Sequence, residues 1–66
     1  MQIQLNGETR EIADGSTIAQ LLEAAGYAGR KVAVELNLEV VPRSRHGEQR
    51  LAAGDRVEII HAIGGG

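Results

Sequence analysis

The 66-residue chain carries a formal charge of −2, no cysteine, and Tyr27 as its single residue of the Phe, Trp and Tyr set. That length fits one small domain, which buries only about 60% of the surface of its unfolded chain and leaves no room for a deep catalytic cavity. The missing thiols exclude disulfides, thiolate nucleophiles and thiolate metal sites, and an acidic, ring-poor composition argues against nucleic acid as a partner.

Met1, Ile3 and Leu5 alternate with Gln2, Gln4 and Asn6, the period of two expected of a half-buried strand. Asn6-Gly7 suits a type I′ turn, in which both central residues take positive φ, and Glu8 to Ile12 reads as the returning strand. Asp14-Gly15-Ser16-Thr17 then breaks the pattern and opens a helix. With Thr17 as N-cap, Gln20 falls at the third helical position and completes a capping box; Ser16 is the alternative cap. Ile18, Leu21, Leu22 and Ala25 share one helical face, and Gly26 fits the left-handed position that ends the helix. A helix of about two turns needs a sheet to hold it.

Val32, Val34 and Leu36 alternate with Ala33 and Glu35 in a third strand, Lys31 to Leu36. Asn37-Leu38 turns the chain into a short strand, Glu39-Val40-Val41, which Pro42 terminates by removing a donor and marks as an edge. Arg43 to Ala53 is mostly polar, with Leu51 as its core anchor. Arg43, Arg45 and Arg50, with His46 and Glu48 among them, read as a solvated loop of mixed sign. Gly54-Asp55 makes a turn, and Arg56 to Ile63 is the last strand, with Val57 and Ile59 inward and Glu58, Ile60 and Ala62 outward. The expected core is Ile3, Leu5, Ile12, Ile18, Leu21, Leu22, Val32, Val34, Leu36, Val40, Leu51, Val57 and Ile59.

The single helix has to cover one face of the sheet, since nothing else can bury Ile18, Leu21 and Leu22. The simplest closed arrangement sets the last strand beside the first, in the middle of a mixed sheet. The expected fold is therefore α+β, a ubiquitin-like β-grasp with four to five strands packed on one α-helix. Residues 1–63 form this domain and residues 64–66 a flexible glycine tail.

No enzyme emerges from the side chains. His46 and His61 lie on separate elements without a carboxylate partner or metal-ligand spacing, and Ser16, Thr17 and Ser44 have local structural roles. No glycine-rich stretch joins a strand to a helix to cradle phosphate. The N-terminal MQIQLNGETR lacks the pattern of a signal peptide, and no run approaches the roughly 18 apolar residues that span a membrane. The expected setting is soluble and cytoplasmic.

The runs VAVELNLEVVPRS and GDRVEIIHAIGGG, with MQIQLNGE and DGSTIAQLLE ahead of them, resemble the ThiS family of sulfur carriers in thiamine biosynthesis over nearly the whole chain. Two departures stand out. Asn37-Leu38 occupies the place of an expected Asn-Gly, which predicts a wider or less regular turn, and Gly64 is additional to the minimal Gly-Gly pair. The resemblance implies that the Gly66 carboxylate is adenylated, converted to a thiocarboxylate and used as a sulfur source for thiazole formation. It also implies a ThiF-like adenylating enzyme, a ThiG-like thiazole synthase and a sulfur donor such as a cysteine desulfurase as partners, with ATP and Mg bound by the activating enzyme. No cofactor or metal is expected on the chain itself. Ile63, Gly64 and Gly65 are the expected partner-binding tail; Glu58, Ile60 and Ala62 are the expected docking face. Rival readings are a carrier for molybdopterin or tRNA thiolation, a protein modifier, or a β-grasp interaction module with an inert tail.

Overall fold

A computed structural model of the chain describes residues 1–61. Its elements are β1 (Gln2–Leu5), β2 (Glu8–Glu11), α1 (Ile18–Ala24), β3 (Val32–Leu36), β4 (Glu39–Val41), a 3₁₀ turn (Arg43–Arg45) and β5 (Arg56–His61). The strands form one sheet in the order β2-β1-β5-β3-β4. β1 and β5 run parallel, and every other neighbouring pair is antiparallel. This is the expected β-grasp, with the last strand beside the first at the centre.

Alternation places the core. Ile3 and Leu5 of β1, Val34 of β3, and Val57 and Ile59 of β5 are buried on one face of the sheet. Ile18, Leu21 and Leu22 of α1 cover them, and Leu51 joins from the loop before β5. Each such burial contributes about 1.5–3 kcal/mol, which a seven-residue helix needs, being too short to persist alone. Ile12, Val32 and Leu36 pack against this core but remain partly exposed.

Both ends of α1 are closed by hydrogen bonds. Thr17 is the N-cap: its hydroxyl accepts from Gln20 N at 3.2 Å, and Gln20 Oε1 accepts from Thr17 N at 2.9 Å. Ser16 does not cap; its hydroxyl donates to Ala13 O at 2.6 Å. At the other end, Tyr27 N donates to Leu22 O at 2.7 Å and Gly26 N to Glu23 O at 3.2 Å, the paired bonds of a Schellman motif with Gly26 at φ +88°.

Three expectations are corrected. Val40 is not in the core: it lies opposite Glu35 on the outer face and is 68% exposed, while Val41, opposite Val34, faces the helix. The Asn37-Leu38 turn is neither wide nor irregular. Two residues separate β3 from β4, with φ of 51° at Asn37 and 73° at Leu38. Glycine would adopt this geometry freely, whereas leucine at positive φ costs roughly 1–2 kcal/mol. Finally, His46 is not part of a solvated loop but is buried. Its Nε2 lies 3.1 Å from Val41 O, and since a carbonyl only accepts, Nε2 carries the proton. The backbone carbonyl of His46 accepts from Ala19 N at 2.9 Å, tying the 3₁₀ segment to the start of α1.

Candidate functional site

The strand that leads into the C-terminal glycines is β5, so the site is built from what holds β5 and what it exposes. Two asparagines grip it from opposite sides. On the β1 side, Asn6 N donates to Val57 O at 2.9 Å and Asn6 Oδ1 accepts from Ile59 N at 2.7 Å. On the β3 side, Asn37 N donates to Arg56 O at 2.8 Å and Asn37 Oδ1 accepts from Arg56 N at 3.0 Å. Both asparagines have positive φ, at 50° and 51°. Each stands where its own strand has begun to turn away, and its side-chain amide continues the ladder for one more bond. Asp55 locks the entry to β5: Oδ1 accepts from Asn37 Nδ2 at 3.1 Å and Oδ2 from Ala52 N at 2.8 Å.

At the exit, His61 is the last described residue and lies opposite Val32. Its ring meets the edge of Tyr27 at 5.4 Å between centroids and 79° between planes. The Schellman motif fixes the backbone of Tyr27, so the helix end and the strand end meet there. The expected structural role for His61 agrees with this contact.

The outer face of the sheet is open. In register across it, Ile60 lies opposite Ala33, Glu58 opposite Glu35, and Glu35 in turn opposite Val40. Ile60 is 50% exposed, Val40 68%, and Leu38, at the tip of the β3–β4 hairpin, 72%. Glu58 and Ile60 therefore stand together on this face as expected. Ala62, Ile63, Gly64, Gly65 and Gly66 lie outside the described residues. The clamping roles of Asn6 and Asn37 were not legible as such. Their signal was an asparagine at each hairpin turn, which marks positive φ but not a long-range bond.

Among the described residues, no group of three His, Asp or Glu side chains could hold a metal ion, and no helix is long and apolar enough to cross a membrane. A depression between β2 and α1, lined by residues including Arg10, Asp14, Gln20 and Glu23, joins no nucleophile to a base. At the N-terminus, the Met1 ammonium donates to Ile12 O at 2.7 Å and approaches Glu11 Oε2 at 2.8 Å and Asp14 Oδ1 at 3.0 Å. The bonds to Glu11 and then Asp14 hold its pKa above the ordinary value of 8.0.

Comparison with known proteins agrees with this architecture. Residues 3–66 match the model of the ThiS family. The chain is 37% identical over 65 residues to the sulfur carrier protein ThiS of Bacillus subtilis, covering 97% of this chain and 98% of that one. It is 44% identical over 66 residues to a thiazole synthase of Paramagnetospirillum magneticum; the match takes in all of this chain but spans a fifth (20%) of that relative's length. The crystal structure of the thiamine biosynthesis protein ThiS from Geobacter metallireducens superposes with a TM-score of 0.87 at 33% identity, covering 100% of both chains.

Proposed function

The chain belongs to the ThiS family, and from that membership we propose that it is a sulfur carrier of thiamine biosynthesis whose Gly66 carboxylate holds the sulfur. The observation that carries this reading is the extent of the family match. It runs from residue 3 through residue 66, so the closing glycines belong to the shared pattern together with the β-grasp body.

In this reading the chain is the carried substrate and not the catalyst. An adenylating enzyme supplies Mg-ATP; a Gly66 carboxylate oxygen attacks the α-phosphorus, and pyrophosphate leaves. The resulting acyl-adenylate gives a poor electrophile a good leaving group. Persulfide sulfur from a cysteine desulfurase displaces AMP, and a second thiol releases the product as a thiocarboxylate. Thiazole synthase then takes the sulfur. That the P. magneticum relative so named contains a segment like this chain supports pairing the two activities. Residues without Cβ atoms thread a narrow channel that side chains would block. Glycine also has no stereocentre to lose while its carboxyl is activated. Ile63, Gly64 and Gly65 are the segment that enters the partner, and Glu58, Ile60 and Ala62 face it. The cytoplasm is the proposed setting, and ATP and Mg belong to the activating enzyme.

The test is the intact mass of the untagged chain after incubation with its host's adenylating enzyme, Mg-ATP and a sulfur source. Replacement of one oxygen by sulfur, localised to Gly66 and abolished by deleting Gly65-Gly66, is expected. An unchanged mass, with the enzyme active on another carrier, would overturn the reading.

A further inference from the structure

Leu38 is unfavourable in two ways at once. Its φ of 73° is one that glycine adopts without strain, and its side chain is 72% exposed to water. Neither property serves the fold: glycine in place of Leu38 would close the same two-residue hairpin with less strain and less apolar surface. A strained residue that brings nothing to the domain holding it points to a contact outside that domain.

The adjoining face has a matching oddity. Glu35 and Glu58 are directly opposed on β3 and β5, which sets their Cβ atoms about 4.5–5.5 Å apart, where like charges repel. Among the described residues neither carboxylate forms an ion pair, although Arg56 shares the face two residues before Glu58. Val40 and Ile60 stand exposed on either side of the acidic pair.

We propose that this face, with Leu38 as its outlying anchor, docks a partner protein that sets a basic side chain against Glu35 and Glu58 and an apolar pocket over Leu38 and Val40. The charge pattern argues against a second copy of the chain, because two such faces packed together would oppose four carboxylates. Reach argues for a partner that handles the tail. Six residues separate Ile60 from Gly66, at most about 20 Å of extended chain, so a protein acting on Gly66 comes within that distance of the face. The inference rests on the carrier reading only for that choice of partner.

The experiment pairs binding with stability. The unsubstituted chain, Leu38→Gly, the double variant Glu35→Gln/Glu58→Gln, and a chain lacking Gly65-Gly66 are titrated calorimetrically into the host's adenylating enzyme and thiazole synthase. Each is also melted thermally. Leu38→Gly is expected to melt at the same temperature or higher yet bind at least one partner about tenfold more weakly. The glutamine variant should likewise keep its melting temperature and bind several-fold more weakly at low salt, with the deficit shrinking as salt is added.

Unchanged binding by both variants would overturn the proposal, as would a clear loss of stability in Leu38→Gly, which would make Leu38 a residue of the fold. A homodimer abolished by Leu38→Gly would overturn it in favour of self-association. If the unsubstituted chain binds neither protein, this proposal falls whatever the mass experiment shows. If the chain lacking Gly65-Gly66 still binds through the face while thiocarboxylate never forms on the intact chain, the docking face stands and the carrier reading alone fails.

Discussion

Ile59 donates its backbone N–H to the side-chain oxygen of Asn6 at 2.7 Å, a bond that closes a sequence separation of 53 residues. Asn6 can make it because its φ of 50° has already turned the main chain away from β5. The amide replaces the carbonyl that a longer β1 would have offered. Central pairing between first and last strands thus extends one bond beyond the strand itself.

Replacing Asn6 by Gly preserves the turn and removes only this acceptor. The expected loss is about 1 kcal/mol of stability, read from the denaturant midpoint, with faster hydrogen exchange at the Ile59 amide. Asn6→Asp, which keeps an acceptor, should retain most of the protection. Equal exchange at Ile59 in Asn6→Gly and the parent would show that the bond does not hold the strand.

Thr17 and Ser16 are adjacent hydroxyl residues with different roles. Thr17→Ala removes half of a capping box and should lower stability by about 1 kcal/mol. Ser16→Ala removes a single bond to Ala13 O in the preceding turn and should change less. Equal losses in urea unfolding would contradict the assignment of Thr17 as the cap.

His46 is buried with one hydrogen-bond partner on the edge strand. His46→Ala leaves the Val41 carbonyl without its donor and opens a void, for an expected cost of about 1–3 kcal/mol. Circular dichroism melting of the variant checks the size. A melting temperature equal to the parent's would mean that the imidazole is dispensable to the junction of the 3₁₀ turn with α1.

For the chain beginning at Met1, stability should fall in alkali. The folded-state pKa of the ammonium is raised by Glu11 and Asp14, so its contribution is complete below about pH 8 and disappears as pH climbs through the folded value. A melting-temperature profile from pH 7 to above that value measures the drop. Glu11→Gln combined with Asp14→Asn should flatten it, and an unchanged slope in that variant would remove these carboxylates as its cause.

Most of the fold was legible because alternation and caps are local signals. Ile3 and Leu5, Val32 to Leu36, and Val57 and Ile59 announce their faces by parity alone, and the parity of Glu58 and Ile60 follows. The failures arose where local signals were ambiguous or absent. Glu39-Val40-Val41 offers an apolar residue in either phase, and only the register against Val34 and Glu35 decides that Val41 goes inward. His46 sits in a stretch of charged residues, and its burial depends on contacts with β4 and α1 that no spacing encodes. Of the candidate site, Glu58 and Ile60 were readable from β5, while the part taken by Glu35, Val40 and Leu38 required the sheet order to bring two more strands beside them.

The central position of β5 bears on what happens when the tail is pulled. A force applied beyond His61 acts along β5, and the bonds to β1 and β3 lie across that direction. The two ladders and the Asn6 and Asn37 side-chain bonds are therefore loaded in shear, all at once, instead of being peeled open one bond at a time. A hairpin edge such as β4 would unzip under the same load. By its strand order the domain can be tugged by its C-terminal end without its fold being the first thing to give.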